Sequence, residues 1–217
     1  MSSRSIAILG GSFDPVHRGH VALARHFVNL LQPDELRILP AGNPWQKHGL
    51  EASGRQRVAM LQRAFDSEQV PVVIDQRELQ NDQPTYTIDT LRAMRAELGP
   101  DVSLIFLMGA DQLQHLDSWQ GWRELFGLAH LCAAARPGFA LTGRLVPAEV
   151  SREFERRAGT PTQIRTTPQG NTFLAPNLAV DISATDIRKA LHDGNNPAEL
   201  VPNPVLDYIE QHHLYKS

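Results

Sequence analysis

The 217-residue sequence lacks the features that would tie it to a membrane, an oxidising compartment or nucleic acid. No apolar run approaches the roughly 20 residues of a membrane span, and the apolar stretch near the N-terminus is too short for a signal peptide. The single cysteine, Cys132, cannot form an internal disulfide, so we expect a reducing compartment, the cytoplasm. With 21 basic and 24 acidic residues, the net charge of -3 provides no broad cationic field for nucleic acid or an anionic membrane.

Two common phosphate-binding sequences are also missing. The chain contains neither the GxxxxGKS or GxxxxGKT of a P-loop nor the GxGxxG of a standard dinucleotide-binding turn. Their absence argues against a P-loop phosphotransferase and against a standard dinucleotide site. Any phosphate site must therefore be local and of another type.

The most informative segment that is present covers residues 10–20, GGSFDPVHRGH. It follows a short apolar run at 5–9 that is typical of a buried parallel strand. Gly10 and Gly11 carry no Cβ, so the backbone can turn sharply there and approach a ligand closely. Downstream, apolar residues recur at helical spacing, namely Ala24, Phe27, Val28 and Leu31. The pattern predicts a strand, a loop and a helix.

His17 and His20 fall in the first turn of that predicted helix, three positions apart and so on one face. Backbone N–H groups and the positive end of the helix dipole favour an anion at this place, which indicates a phosphate site. Two alternatives stay open. In the first, the histidines are ordinary surface residues. In the second, they bind zinc, although a third ligand is not evident nearby and Cys132 lies inside an apolar run.

Apolar strands and helical patterns alternate along the rest of the chain. We predict strands at 35–39, 70–74, 102–108 and 129–135, and helices at 55–65, 88–98, 118–126, 147–159 and 204–213, the helix at 147–159 being solvent-facing. The polar stretch 160–171 is predicted to be an irregular loop. Such alternation is typical of a parallel sheet covered on both faces, in which ligands lie beyond the carboxyl ends of the strands. Gly10 and Gly109 both fall at such ends and are predicted to line one crevice.

Two segments together resemble a known superfamily. Residues 10–20 resemble the GGxFDPxHxGH signature of the nucleotidyltransferases, and residues 182–188, ISATDIR, resemble their ISSTxIR element. The resemblance implies a Rossmann-like α/β fold, a doubly wound parallel sheet with a small C-terminal helical part at about 183–217, all in one domain over 1–217. It also implies nucleotidyl transfer, in which a phosphate of the acceptor attacks the α-phosphorus of a nucleoside triphosphate and pyrophosphate leaves.

The superfamily resemblance also implies which residues act. The acceptor phosphate is already ionised near neutral pH, so the protein has to position and neutralise charge without a general base. The implied catalytic residues are His17, His20 and Arg188, the last as a clamp on the departing pyrophosphate. The implied ATP-binding residues are Gly10, Gly11, Ser12, Phe13, His17, His20, Gly109, Asp111, Ser183, Thr185 and Arg188. Mg²⁺ is expected with ATP, held largely by triphosphate oxygens and water, so no protein metal ligand is named.

The middle of the chain narrows the resemblance to one family. Residues 84–91, PTYTIDTL, resemble the PSYTIDTL block of bacterial nicotinate-nucleotide adenylyltransferases. Residues 109–111 followed by Trp119, then 136–138 and the tail 201–215, match the same family, so the resemblance covers nearly the whole chain. It implies ATP and nicotinate mononucleotide as partners. The implied substrate-binding residues are Asn43, Lys47, Thr85, Thr87, Trp119 and Arg136.

For four of these acceptor residues the side-chain or backbone chemistry indicates a use. Thr85 and Thr87 open a helix whose N–H groups would suit the carboxylate of nicotinate. Trp119 offers a flat π face to the pyridinium ring, and Lys47 a cation to the acceptor's phosphate. Without the resemblance, Thr87 would be interpreted as an ordinary N-cap, Trp119 as a half-buried core residue and Lys47 as a solvated side chain.

The chain departs from the family pattern at two places. Residues 44–47 read PWQK where the family usually has PPHK, which weakens the expectation for Lys47. Ala184 replaces the second serine of ISSTxIR and removes one hydroxyl, while Ser183 and Thr185 remain. The open alternatives are an adenylyltransferase for nicotinamide mononucleotide or another phosphorylated acceptor, and a non-catalytic nucleotide sensor. Neither the oligomeric state nor the strand order follows from the sequence.

Overall fold

The computed structural model describes residues 4–44, 49–80, 83–176, 178 and 182–216. Its strands are Ser5–Gly11 (β1), Glu35–Pro40 (β2), Asn43–Pro44 (β3), Val72–Ile74 (β4), Pro84–Thr85 (β5), Ser103–Gly109 (β6), His130–Ala134 (β7) and Thr172–Ala175 (β8). Its α-helices are Arg18–Leu31 (α1), Gly54–Ala64 (α2), Thr87–Leu98 (α3), Ala148–Arg156 (α4), Pro161–Thr166 (α5), Ala184–His192 (α6) and Asn203–Gln211 (α7). None of these helices is long and apolar enough to cross a membrane.

Six of the strands form one parallel sheet in the order β4-β2-β1-β6-β7-β8. From β1 the chain runs outward through β2 to β4, returns to β6 on the other side of β1, and runs outward again to β8. The order therefore reverses between β1 and β6, which is where such sheets bind ligands. The predicted doubly wound α/β fold is confirmed, and β3 and β5 form a separate two-stranded pair.

Burial on both faces explains the apolar run of β1. Ala7 and Leu9 belong to one core cluster with residues of α1, α2 and α7, whereas Ile6 and Ile8 belong to a second cluster with residues of α3 and α4. A strand covered on both sides needs apolar residues at successive positions rather than alternate ones. The central strand is thus fixed between two cores, and its carboxyl end is held rigidly where the glycine turn begins.

The helix predicted at 118–126 is wrong. The structure has short 3-10 turns at Leu116–Ser118 and Glu124–Gly127, and Gly121 between them has a φ of 62°. A residue in the left-handed region cannot continue an α-helix, so the apolar spacing that suggested one instead buries Trp122 and Phe126 from successive turns.

The predicted loop at 160–171 is also wrong in part, because it contains α5. Thr160 caps this helix by accepting from the backbone N–H of Gln163 at 3.2 Å, and Gln163 returns the contact to the Thr160 N–H at 2.8 Å. Threonine followed by proline and then glutamine is a recognised helix start, so the signal was present in the sequence.

Two further differences concern the second half of the chain. α4 lies within the predicted 147–159, yet it buries Val150 and Phe154, so it is not wholly solvent-facing. Strand β8 was not predicted, because it is only four residues long and lies at the sheet edge. The other predicted strands and helices are confirmed, with small shifts of their ends. One domain over 1–217 stays a prediction.

Candidate active site

A cleft of about 630 Å³ lies beyond the carboxyl ends of β1 and β6. Gly10 and Gly11 from β1 and Gly109 from β6 all line it, so the predicted crevice between the two glycine turns is present. A Cβ on Gly109 would lie 2.4 Å from the Asp111 Oδ1 atom, and glycine therefore lets this carboxylate fold back over the strand end. Asp111 also lines the cleft.

His17 and His20 lie together at the start of α1 and line the cleft. Their rings are stacked, with centroids 3.7 Å apart and planes 27° from parallel. The His17 backbone N–H donates to the Nδ1 atom of His20 at 3.2 Å. Because Nδ1 accepts, a neutral His20 ring carries its proton on Nε2 and presents an N–H donor there. The pair sits where the helix N-terminus already favours an anion.

The signature loop before these histidines is shaped by Phe13. This residue has a φ of 49°, in the left-handed region that non-glycine residues seldom adopt, and its side chain is fully buried. Its ring meets the His20 ring edge-on, with the two centroids 4.8 Å apart. The Phe13 ring also packs against Gly11, because a Cβ on Gly11 would come within 3.1 Å of it. Phe13 is thus a support beneath the histidines, whereas Ser12 lines the cleft.

The second signature meets the first at α6. The Ser183 hydroxyl caps this helix by accepting from the Asp186 N–H at 3.5 Å, and both Ser183 and Thr185 line the cleft. Arg188 is placed differently from the expectation. Its Nη1 donates to the Asp14 carbonyl oxygen at 2.7 Å and its Nε pairs with Glu51 at 3.0 Å, outside the residues that line the cleft. Its role as a pyrophosphate clamp stays a prediction.

The residues predicted to hold the acceptor come from parts of the chain outside the two signatures. Thr85, Thr87, Trp119 and Arg136 all line it. Tyr86, not a threonine, is the N-cap of α3, and Thr87 is the first helical residue. Lys47 lies outside the described residues, and for Asn43 the structure describes only the backbone, which pairs with Pro84.

Trp119 is half-buried beside this part of the cleft. Its ring meets Phe106 edge-on with centroids 6.2 Å apart, and its Nε1 atom is buried without a hydrogen-bond partner among the described residues. Both rings line the cleft, and Phe106 is the more deeply buried of the two. The arrangement suits a flat ligand ring stacked on the indole.

Comparison with known proteins decides the family. A cytidylyltransferase-like family model matches residues 8–190. A protein of Herminiimonas arsenicoxydans named "Probable nicotinate-nucleotide adenylyltransferase" is 66% identical over 215 residues, covering 99% of this chain and 98% of that protein. One of the same name from Laribacter hongkongensis is 45% identical over 214 residues, covering 98% and 95%. The chain belongs to the nicotinate-nucleotide adenylyltransferase family.

A solved structure of similar fold supports the architecture. Plasmodium falciparum nicotinic acid mononucleotide adenylyltransferase complexed with NaAD superposes with a TM-score of 0.74 at 19% identity, covering 98% of this chain and 97% of that one. The two relatives, at 66% and 45% identity, confirm the resemblance drawn from GGSFDPVHRGH, ISATDIR and PTYTIDTL to the nicotinate-nucleotide adenylyltransferase family. The roles of individual residues rest on geometry.

Several residues that line the cleft were not predicted from the sequence, among them Glu78 and Thr90. The Thr90 hydroxyl donates to Glu78 Oε1 at 2.7 Å. Thr90 lies in the same PTYTIDTL block as Thr85 and Thr87, so its presence on the cleft side of α3 could have been expected from helical spacing. Glu78 belongs to a 3-10 turn at Arg77–Gln80, for which the sequence holds no comparable signal.

A set of buried contacts behind the signature loop was also missed. The Asp14 carboxylate is 2% exposed and accepts from the backbone N–H groups of Glu51 at 2.8 Å and Ala52 at 3.0 Å. The Tyr215 hydroxyl donates to Asp14 Oδ1 at 2.6 Å, and Arg57 donates to the Ser12 carbonyl at 2.8 Å. Burial, reinforced by the bond to Asp14, raises the pKa of the Tyr215 phenol, which therefore remains a donor.

Metal-binding chemistry can be judged from the donors present. Within the parts of the chain that the structure describes, no group of three or more His, Cys, Asp or Glu residues is placed to hold a metal ion. The described residues thus supply no third ligand to join His17 and His20 in a zinc site. The carboxylates of Glu78 and Asp111 do line the cleft, and carboxylate oxygens suit a divalent ion carried mainly by phosphate oxygens and water.

Proposed function

We propose that the chain transfers the adenylyl group of ATP to nicotinate mononucleotide, giving nicotinate adenine dinucleotide and pyrophosphate in NAD biosynthesis. The observation that carries the proposal is the stacked His17–His20 pair lining the cleft between β1 and β6, in a chain of this family. We place the activity in the cytoplasm, in keeping with a chain that has a single cysteine.

The reaction forms a bond between a phosphate oxygen of the acceptor and the α-phosphorus of ATP, and it breaks the bond from that phosphorus to the oxygen bridging to the β-phosphate. The acceptor oxygen is already ionised, so the chain has no proton to remove. Negative charge gathers on the phosphate oxygens in the transition state. His17 and His20, together with the N–H groups at the start of α1, are donors fixed in advance to meet it.

The acceptor occupies the side of the cleft formed by α3 and Trp119. The N–H groups of the first turn of α3, beside Thr85 and Thr87, bind the nicotinate carboxylate, because a helix N-terminus favours a negative charge. The indole of Trp119 stacks on the pyridinium ring, and Arg136 contributes positive charge at the same wall. The carboxylate is what distinguishes nicotinate from its amide, so this helix end would set the preference.

Mg²⁺ accompanies ATP in the proposal and supplies neutralisation of the triphosphate when bound. Gly10, Gly11, Ser12 and Thr185 form the neighbouring wall of the cleft. Backbone N–H groups at the glycine turn, and the Ser183-capped start of α6, are suited to phosphate oxygens. Arg188 would have to leave Glu51 to reach a leaving pyrophosphate.

Pyrophosphate release tests the function. The purified chain is given ATP and Mg²⁺ with nicotinate mononucleotide, nicotinamide mononucleotide or phosphopantetheine in parallel. We expect the fastest release with nicotinate mononucleotide. Faster release with another acceptor would show that this acceptor, not nicotinate mononucleotide, is the substrate. No release with any acceptor would favour a nucleotide sensor.

A further inference from the structure

The C-terminal segment of the chain touches the signature loop on both sides of His17. Before the histidine, the Tyr215 hydroxyl donates to Asp14 Oδ1 at 2.6 Å. After it, the Arg18 backbone N–H donates to the Leu200 carbonyl oxygen at 2.9 Å. The stretch from 14 to 18 is therefore held at its two ends by residues that follow it by more than 180 positions.

The contact at Asp14 is buried and directional. Tyr215 is 5% exposed and Asp14 is 2% exposed, so water has little access to either group. The carboxylate already accepts from the backbone N–H groups of Glu51 and Ala52, and the tyrosine hydroxyl adds a side-chain donor from a distant part of the chain. Hydrogen bonds to a buried carboxylate are among the stronger ones, and their geometry restricts where the carboxylate can lie.

The backbone after α7 is shaped to deliver this tyrosine. α7 packs against α2, and beyond its end His213 and Tyr215 have φ values of 52° and 57°. The Leu214 N–H donates back to the Ile209 carbonyl at 3.0 Å, so the chain coils over the helix end. Left-handed backbone at non-glycine residues persists only where surrounding contacts impose it. Here it turns the Tyr215 ring inward, toward Asp14.

We propose that Tyr215 is a positioning residue for adenylyl transfer, acting through the Asp14 carboxylate to hold the signature loop so that His17 and His20 meet the α-phosphate. The proposal rests on the proposed function. Loss of the hydroxyl would leave substrate-binding groups on α3 and at Trp119 in place, while the loop carrying the histidines relaxes. Displacements of about 1 Å in catalytic groups can cost up to 100-fold in rate, so the effect should fall on kcat rather than on KM.

Tyr215→Phe removes the hydroxyl and keeps the ring. We expect kcat to fall about tenfold with little change in KM for ATP or nicotinate mononucleotide. Tyr208→Phe is the matched control, because Tyr208 is also a buried tyrosine of the C-terminal segment but packs its ring on Arg63 and His212. The control should keep the kcat of the unaltered protein. Rates are expressed per folded molecule, measured by circular dichroism at the assay temperature.

A second readout does not depend on activity. Ring NMR signals of His17 and His20 should shift in Tyr215→Phe and stay in place in Tyr208→Phe. In an Asp14→Ala background, which leaves no acceptor for the tyrosine hydroxyl, the Tyr215→Phe change should lower kcat no further.

Three outcomes would overturn the proposal: unchanged kcat per folded molecule in Tyr215→Phe, unmoved histidine signals, or equal losses in the two tyrosine variants. Should the Asp14→Ala protein fail to fold, the kcat and NMR comparisons of the tyrosine variants decide alone. An unaltered protein that releases no pyrophosphate would defeat the proposed function, while the histidine signals would still decide whether Tyr215 holds the loop.

Discussion

Charged side chains over β2 and β4 pair with one another, whereas the donors at the ends of β1 and β6 line a cleft. In the first region, Arg37 is 9% exposed and bonds to Glu35 and Glu97. Arg77 bonds to Asp75 at 2.7 Å and to Glu97 at 2.6 Å. We call these five residues the edge network. The arginines and carboxylates of this network pair with each other within the chain and need no ligand.

The His17–His20 pair is also fixed by contacts within the chain, but these contacts present it to the cleft. Its geometry is set from behind, by the His17 N–H bond to His20 and by the buried Phe13 ring, and its front faces the cleft. The complementary charge there is to come from a ligand. Changes in the edge network should therefore lower stability without touching catalysis, whereas changes at the cleft should lower catalysis far more than stability.

Replacing His20 should give the largest effect. We expect His20→Ala to lower kcat by about 100-fold or more, the usual cost of losing one transition-state donor. The variant also loses the acceptor for the His17 N–H, so a stability loss of about 1 kcal/mol should accompany it, typical of a helix cap. Initial rates of pyrophosphate release and thermal unfolding measure both. His26→Ala, on the same helix but outside the cleft lining, is the control, and an unchanged kcat in His20→Ala would exclude the donor role.

A smaller effect is expected at the acceptor wall. Trp119→Leu keeps apolar bulk but removes the π face, and we expect KM for nicotinate mononucleotide to rise about tenfold, the scale of a stacking and cation–π contact. Trp119→Phe keeps a ring and should lose less. Steady-state kinetics with both variants tests this. Equal KM values for the two would show that bulk, not the aromatic face, matters at this wall.

Gly10→Ala probes how closely a ligand approaches the backbone. A Cβ there would lie 3.6 Å from the Phe106 ring, an ordinary contact, so the fold should accept it. A ligand that lies against the glycine would collide with the added methyl group. We therefore expect kcat/KM to fall roughly fivefold with no change in unfolding temperature. Gly127→Ala, whose Cβ would meet nothing within 4 Å, is the control. Unaltered kinetics in Gly10→Ala would mean that no ligand approaches this part of the turn.

The edge network should show the opposite behaviour. Burial raises the pKa of Asp75, but the hydrogen bonds from Arg77 outweigh it and leave that pKa below its ordinary value of 3.8. The bond from Arg77 likewise lowers the pKa of Glu97 below 4.5. Carboxylates with depressed pKa values stabilise the fold above pH ~4, and the contribution disappears as the pH falls through the folded-state values.

Arg77→Met should therefore destabilise the protein by about 1 kcal/mol at pH 7, since the pair is only partly buried, and leave kcat unchanged. The difference in unfolding free energy from the unaltered protein should shrink as the pH falls below about 4. Denaturant unfolding between pH 3 and 7 measures it. A lowered kcat would contradict the separation between the two regions, and a pH-independent difference would remove the carboxylates from the explanation.

The parts of the molecule that could be predicted share one property, which is that their signals are local. The apolar run of β1, the glycine turn and the spacing of His17 and His20 all lie within a stretch that folds on itself, and each matched the structure. The start of α5 carried an equally local capping signal that was overlooked. The segment 118–126 misled because apolar spacing suits a helix and a pair of turns alike, and the φ of Gly121 decided between them.

The local sequence by itself determined the strand, the glycine turn and the histidines at a helix start, since steric and capping preferences act over a few residues. It also determined the family, through motifs spread along the chain. The packing of the whole chain was needed to fix the strand order that places β1 beside β6, the contact of Arg188 with Asp14, and the bond from Tyr215 to the same residue, 201 positions away. No periodicity couples such distant residues, because their meeting depends on how two cores pack against one sheet.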